Sequence, residues 1–182
     1  MYVAQELRKK SIAEYLLYLW QTEDIIRAYG CSLPVIKRDY ISRFNYSDEQ
    51  RNEVIDWFGN LIRMMNEEGK REYGHLQVNE VLLMDIIDLH HRLLHSSKFP
   101  FYHAAYYKAL PFIVELRNKG DKNVNEIETC FDALYGILML RLQKKDISQE
   151  TERAVKEITT FVGLLSDYYL KDNTEGLKFE ED

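Results

Sequence analysis

At 182 residues, with 46% hydrophobic and 30% charged side chains, the chain can enclose a core and is not disordered throughout. Its net charge of −6 disfavours nucleic acid and anionic membrane surfaces as partners, and the basic spots Arg8–Lys10 and Arg141–Lys145 are too short to reverse that sign. Eight glycines and three prolines are too few for a turn-rich β-sandwich, and two cysteines, Cys31 and Cys130, make no disulfide framework.

Taken in chain order, the punctuation is helical. The stretch "AQELRKKSIAEYLLYLWQTEDIIRAY" reads as one long helix stopped by Gly30. Within it "YLLYLW" is apolar nearly all round, which predicts burial on several sides. "SLPVIKRDYISRF" reads as a short second helix, with Ser32 as cap and Pro34 in its first turn. Ser47 and Gln50 form a capping box for a third helix that Gly69 or Gly74 ends. The fourth covers "LQVNEVLLMDIIDLHHRLLHS", and Pro100 marks its break. "FYHAAYYKALPFIVELRNK" is the fifth, with a kink or split expected at Pro111. Asn123 and Glu126 suggest a capping box for the sixth, and Ser148 caps the seventh. The expectation is an all-α fold, a compact and mostly antiparallel bundle of about seven helices. Residues 1–170 are expected to form one domain, followed by a mobile acidic tail over 171–182. "MYVAQELRKK" lacks the apolar segment of a signal peptide, and no apolar run nears the roughly 20 residues of a membrane span, so the expected setting is reducing and cytoplasmic.

"DIIDLHHRLLH" (residues 85–95) raises the question of metal. At about 100° per residue the histidines separate. His90 points into the apolar sector with Leu83 and Leu94, and reads as a core histidine with a hydrogen-bonded ring. His91 and His95 lie four apart on the other side, with Asp88 on the same strip. Two such imidazoles and a carboxylate are candidate metal ligands. The plainer reading is a solvated face with local Asp–His pairing. A di-iron bundle needs two inward ExxH motifs, whereas Glu72 to His75 is the lone match.

Three charges sit where apolar residues belong. Glu23 falls on the face of Ile12, Leu16 and Trp20, Arg27 follows one turn later, and Arg141 continues the seam of Ile127, Phe131, Leu134 and Leu138. Either these side chains reach water near the helix ends, or Glu23, Arg27 and Arg141 form an internal network lining a polar pocket for an anionic ligand. The tyrosines of "FYHAAYYKAL" pose a similar choice. Tyr102, Tyr106 and Tyr107 are candidates for a pocket wall or dimer surface, against the plainer role of groove filling. No glycine-rich phosphate loop, GxSxG or HExxH occurs, and Cys130 reads as an inert packed thiol.

The stretches "IAEYLLYLWQTEDIIRAY", "GHLQ", "AAYYKALPFIVELRNK" and "ETCFDALYGILMLRLQKKDIS" carry a resemblance that spans about residues 1–170. The sequence resembles an uncharacterised bacterial family of small all-helical proteins of the domain-of-unknown-function type. That resemblance implies one helical domain and brings no activity, cofactor or catalytic residue with it. The expectation for function is a non-enzymatic interaction or scaffold protein, self-associating or with a protein partner, and with no cofactor. The alternatives are a small-ligand-binding bundle at Glu23, Arg27 and Arg141, and a metal-dependent enzyme at Asp88, His91 and His95.

Overall fold

The computed structural model describes residues 1–120 and 123–179, and the last three positions of the expected acidic tail, 180–182, lie outside the described residues. Among the described residues the fold is all-α, with eight α-helices, one 3-10 turn and no strand. The helices are α1 (Tyr2–Lys10), α2 (Ile12–Ala28), α3 (Leu33–Asp39), α4 (Asp48–Glu67), α5 (Gln77–His95), α6 (Pro100–Lys119), α7 (Glu126–Leu142) and α8 (Gln149–Glu175), with the 3-10 turn at Ile41–Arg43. They make up two compact units, one of Met1–Arg8 with Glu14–Leu82, the other of Lys9–Ala13 with the chain from Leu83 onward.

The expected first helix is in fact two, broken at Ser11. The amide of Ala13 in the first turn of α2 has no carbonyl behind it, and it donates to Ser166 Oγ on α8 at 3.3 Å. Ser11 Oγ lies 3.2 Å from the same hydroxyl. A side chain distant in sequence thus caps α2, which removes the need for the ladder to run through. The dense apolar coat of α2 is buried as expected, with Leu16 and Trp20 at 0% and 2% exposure. At its end, Gly30 and Cys31 both take positive φ (65° and 53°), and their amides return to the carbonyls of Arg27 and Ile26. Gly30 is suited to that reversal because it has no Cβ to clash.

In the first unit α3 packs on α4 and on the 3-10 turn. Its core gathers Ile26, Ile36, Ile41, Phe58, Met65 and Leu76. Ser32 occupies the cap position of α3 but makes no capping bond with its side chain. The capping box of α4 forms as read: Ser47 Oγ accepts from the Gln50 amide, and Gln50 Oε1 accepts from the Ser47 amide.

In the second unit α6 packs against α7 and α8, and α7 against α8. α6 continues through Pro111 without splitting. α7 is capped by Asn125, whose Oδ1 accepts from the Ile127 amide at 2.8 Å, and not by the Asn123–Glu126 box the sequence suggested. Ser148 caps α8 through the Thr151 amide. That helix runs to Glu175, past the boundary expected at Lys171, and Asp172 Oδ1 accepts from the Leu177 amide beyond it. Among the described residues no helix is long and apolar enough to cross a membrane.

Candidate functional site

Glu23 does not reach for water. It is 1% exposed on α2, and its carboxylate receives the turn that leads into α5. Oε1 accepts from the Leu76 amide (2.9 Å) and from Asn79 Nδ2 (2.6 Å), while Oε2 lies 2.7 Å from His75 Nδ1. Arg27 stands 4.0 Å from Oε2 and spends its guanidinium on Asp24 and on the carbonyls of Lys70 and Gly74. The Trp20 indole stacks on the His75 ring, centroid to centroid 4.2 Å. Every oxygen of the buried carboxylate is thereby engaged by protein, as a buried anion requires. The arrangement is a clamp on residues 70–79. Glu23 and Arg27 stand one turn apart on α2, and Arg141 is not among their partners. It is exposed and pairs with Glu152 of α8 at 3.0 Å, because it sits at the end of α7, where the seam meets solvent.

A second buried polar cluster lies in the other unit. His90 on α5 is fully enclosed, and both ring nitrogens are occupied: Nδ1 lies 2.6 Å from the Tyr102 hydroxyl, and Nε2 lies 3.0 Å from Glu126 Oε1. Tyr106 donates to the other oxygen of Glu126 at 3.0 Å. Glu126 opens α7, where the helix dipole favours a carboxylate. The bond from His90 holds its carboxyl below the ordinary range, with burial opposing and the Tyr106 bond adding. Burial pushes the phenols of Tyr102 and Tyr106 upward, so both stay protonated donors. Cys130 is also fully buried, and burial raises its thiol, which removes it as a nucleophile. His90 is therefore the hydrogen-bonded core histidine the sequence suggested.

The metal strip does not assemble. Asp88 turns to Arg92 (3.0 Å), His91 is exposed, and His95 Nδ1 bonds back to the His91 carbonyl at 2.7 Å. Among the described residues no group of three or more His, Cys, Asp or Glu is placed to hold a metal ion.

The three tyrosines divide. Tyr102 and Tyr106 are buried on the inner face of α6, where they meet His90 and Phe161, and Tyr107 is 63% exposed on the opposite face. A cavity of about 330 Å³ in this unit is lined by Leu116, Arg117, Val124, Thr129 and Asp132, and not by the tyrosines. Beside Tyr107 the outward face of α6 carries Ala104, Pro111 and Val114, all exposed, and the exposed Phe101 flanks it. Their 3-4-3 spacing keeps Ala104, Tyr107, Pro111 and Val114 within an arc of about 80° at 3.6 residues per turn. The buried residues Tyr102, Tyr106, Ala109 and Ile113 lie diametrically opposite. α6 is thus apolar on two opposed faces, one packed in the core and one in solvent.

The sequence profile of a domain of unknown function, DUF4924, matches residues 1–176. The chain belongs to this family. No curated protein and no solved structure matches the chain.

Sequence reasoning missed three partners. His75 and Asn79 escaped as ligands of Glu23 because they meet it across more than fifty residues. Glu126 was assigned to a local cap while its side chain reaches His90 on another helix. The signal for Glu23 was its own misplacement on an apolar face, which demands a partner without saying which.

Proposed function

We propose that this DUF4924 member is a non-enzymatic interaction protein that receives an amphipathic helix of a protein partner on the outward face of α6. The two-faced character of α6 carries the reading. An apolar helix face is normally packed against something, yet Tyr107 and Val114 on this stripe are 63% and 48% exposed. Spacing of 3-4-3 is that of helix–helix seams, so the occupant that fits is a second helix. A catalytic role for His90, His95 or Cys130 loses support, since His90 and Cys130 are sealed in the core and His95 is bonded to its own helix. The small-ligand alternative at Glu23 loses support too, because the carboxylate is fully used by the 70–79 turn. A reducing, cytoplasmic setting belongs to the same reading, supported by two buried free thiols.

The test is sedimentation of fluorescently tagged protein in extract of the cells that make it, comparing the native sequence with a Tyr107→Asp, Val114→Asp variant. Both positions are exposed, so the variant keeps its helical spectrum. The native protein is expected in a particle larger than the single chain, and the variant at the single-chain position. Identical sedimentation of the two would refute the docking role.

A further inference from the structure

Resting on that reading, we infer that the helix received by α6 is α6 of a second copy of this chain, in an antiparallel two-fold pairing centred near Pro111. The argument begins at one rim of the outward face. Lys108 and Glu115 are both exposed there, seven residues apart on the same side of the Ala104–Tyr107–Pro111–Val114 stripe. Seven residues are two turns, so their side chains leave the helix about 10.5 Å apart along its axis and in nearly the same direction. The midpoint between them falls between Pro111 and Phe112 on that axis, next to the exposed proline.

A two-fold axis through that midpoint, perpendicular to both helices, brings each rim against the same rim of the other copy. Lys108 then stands level with Glu115 of the second copy, and Glu115 with its Lys108, so two ion pairs form from one coincidence of spacing. The apolar residues follow the same symmetry. The two Pro111 rings meet near the axis, and Val114 of each copy lands between Tyr107 and Pro111 of the other. A parallel pairing sets that rim against the opposite one, which carries His103, Leu110 and, turned further toward the cavity, the half-buried Arg117, so Lys108 finds no carboxylate there. Glu115 also bonds Lys119 of its own helix at 2.5 Å, with half its side chain exposed, so a free face of the carboxylate remains for a second cation. Charge complementarity about one point thus selects both the partner and its direction.

Light scattering coupled to size exclusion, over about 1 to 200 µM, tests this on purified protein. The native chain is expected to reach twice its 21.7 kDa at the upper end. Lys108→Glu places like charges at both ion-pair positions and should raise the dissociation constant roughly tenfold, while Lys108→Glu with Glu115→Lys restores it to within about threefold. Pro111→Cys gives an independent reading that does not depend on these charges. Lying beside the axis it should cross-link to itself under mild oxidation, whereas Ala104→Cys should not, the natural cysteines both being buried. A native chain that stays single over the whole range overturns the second-copy assignment, and the cell-extract comparison then decides the docking role by itself. A dimer in which the double charge reversal is as weak as the single one, or in which Ala104→Cys cross-links and Pro111→Cys does not, overturns the antiparallel geometry.

Discussion

Replacing Glu23 by Gln is the sharpest probe of the clamp, because it preserves shape and removes only charge. In the native protein the Leu76 amide, the Asn79 amide group and the His75 ring converge on the carboxylate at 2.9, 2.6 and 2.7 Å. A hydrogen bond to a charged group is worth about 1.5–3 kcal/mol, against about 0.5–1.5 kcal/mol for a neutral pair. Neutralisation therefore costs about 1 kcal/mol per bond, or roughly 3 kcal/mol in all. The amide adds a geometric conflict. Oε1 must remain an oxygen for its two donors, so the new NH2 group takes the place of Oε2, 2.7 Å from His75 Nδ1 and 4.0 Å from Arg27. For a chain of this size roughly 3 kcal/mol corresponds to a fall in Tm of about 6–12 °C. The assay is urea denaturation followed by tryptophan emission. The chain has two tryptophans, Trp20 and Trp57, both in the first unit, and Trp20 stacks on His75 itself. The signal therefore reports the unit that contains the clamp. A loss below about 1 kcal/mol with an unchanged urea slope would refute the reasoning, since it would mean the carboxylate bonds are no stronger than neutral ones.

The second cluster gives a pH signature. Glu126 has its carboxyl depressed in the native state by the bond from His90, so its stabilising contribution is complete above the ordinary value of 4.5 and is lost as pH falls through the native value. The stability difference between the native protein and Glu126→Gln, measured by circular dichroism in urea, should shrink on acidification below that ordinary value; a difference constant with pH contradicts the assignment. Cys130, enclosed and with its thiol raised by burial, should be alkylated by iodoacetamide at least roughly a hundredfold more slowly in native protein than in urea, as located by peptide mass. Comparable rates in the two conditions would show that the helices around it open readily.

What the sequence disclosed and what it hid have one physical origin. Signals that act within a turn or two were legible. The Ser47–Gln50 box, the Ser148 cap and the reversal at Gly30 each depend on neighbours along the chain, and each formed as read. The break at Ser11 was legible in part, because Ser11 and Glu14 have the spacing of a capping box, but continuous hydrophobic periodicity on both sides concealed it. Long-range partners were not legible. Periodicity placed His90 inside and put Glu23 on an apolar face without deciding between water and a buried partner, and the identity of any partner depends on how distant segments meet. Arg141 failed for the converse reason. Continuing a seam by helical angle says which way a side chain points, not whether anything still covers it at the helix end, and there it meets Glu152 in solvent. The outward face of α6 stayed hidden because helical angle separates Tyr107 from Tyr102 and Tyr106 but does not say which side the other helices cover.

Pro111 gives the exposed stripe of α6 one property that its oily residues conceal. An imino acid has no hydrogen to return to the preceding turn, so the carbonyl of Tyr107 lacks its usual donor. The helix tolerates the gap because the vacancy opens toward water. Whatever settles on this stripe must therefore bring a proton donor to its middle or leave a solvent molecule trapped there. The contact will be damp at its centre and dry around it, and a partner that offers only hydrocarbon at that point will bind less well than its shape suggests.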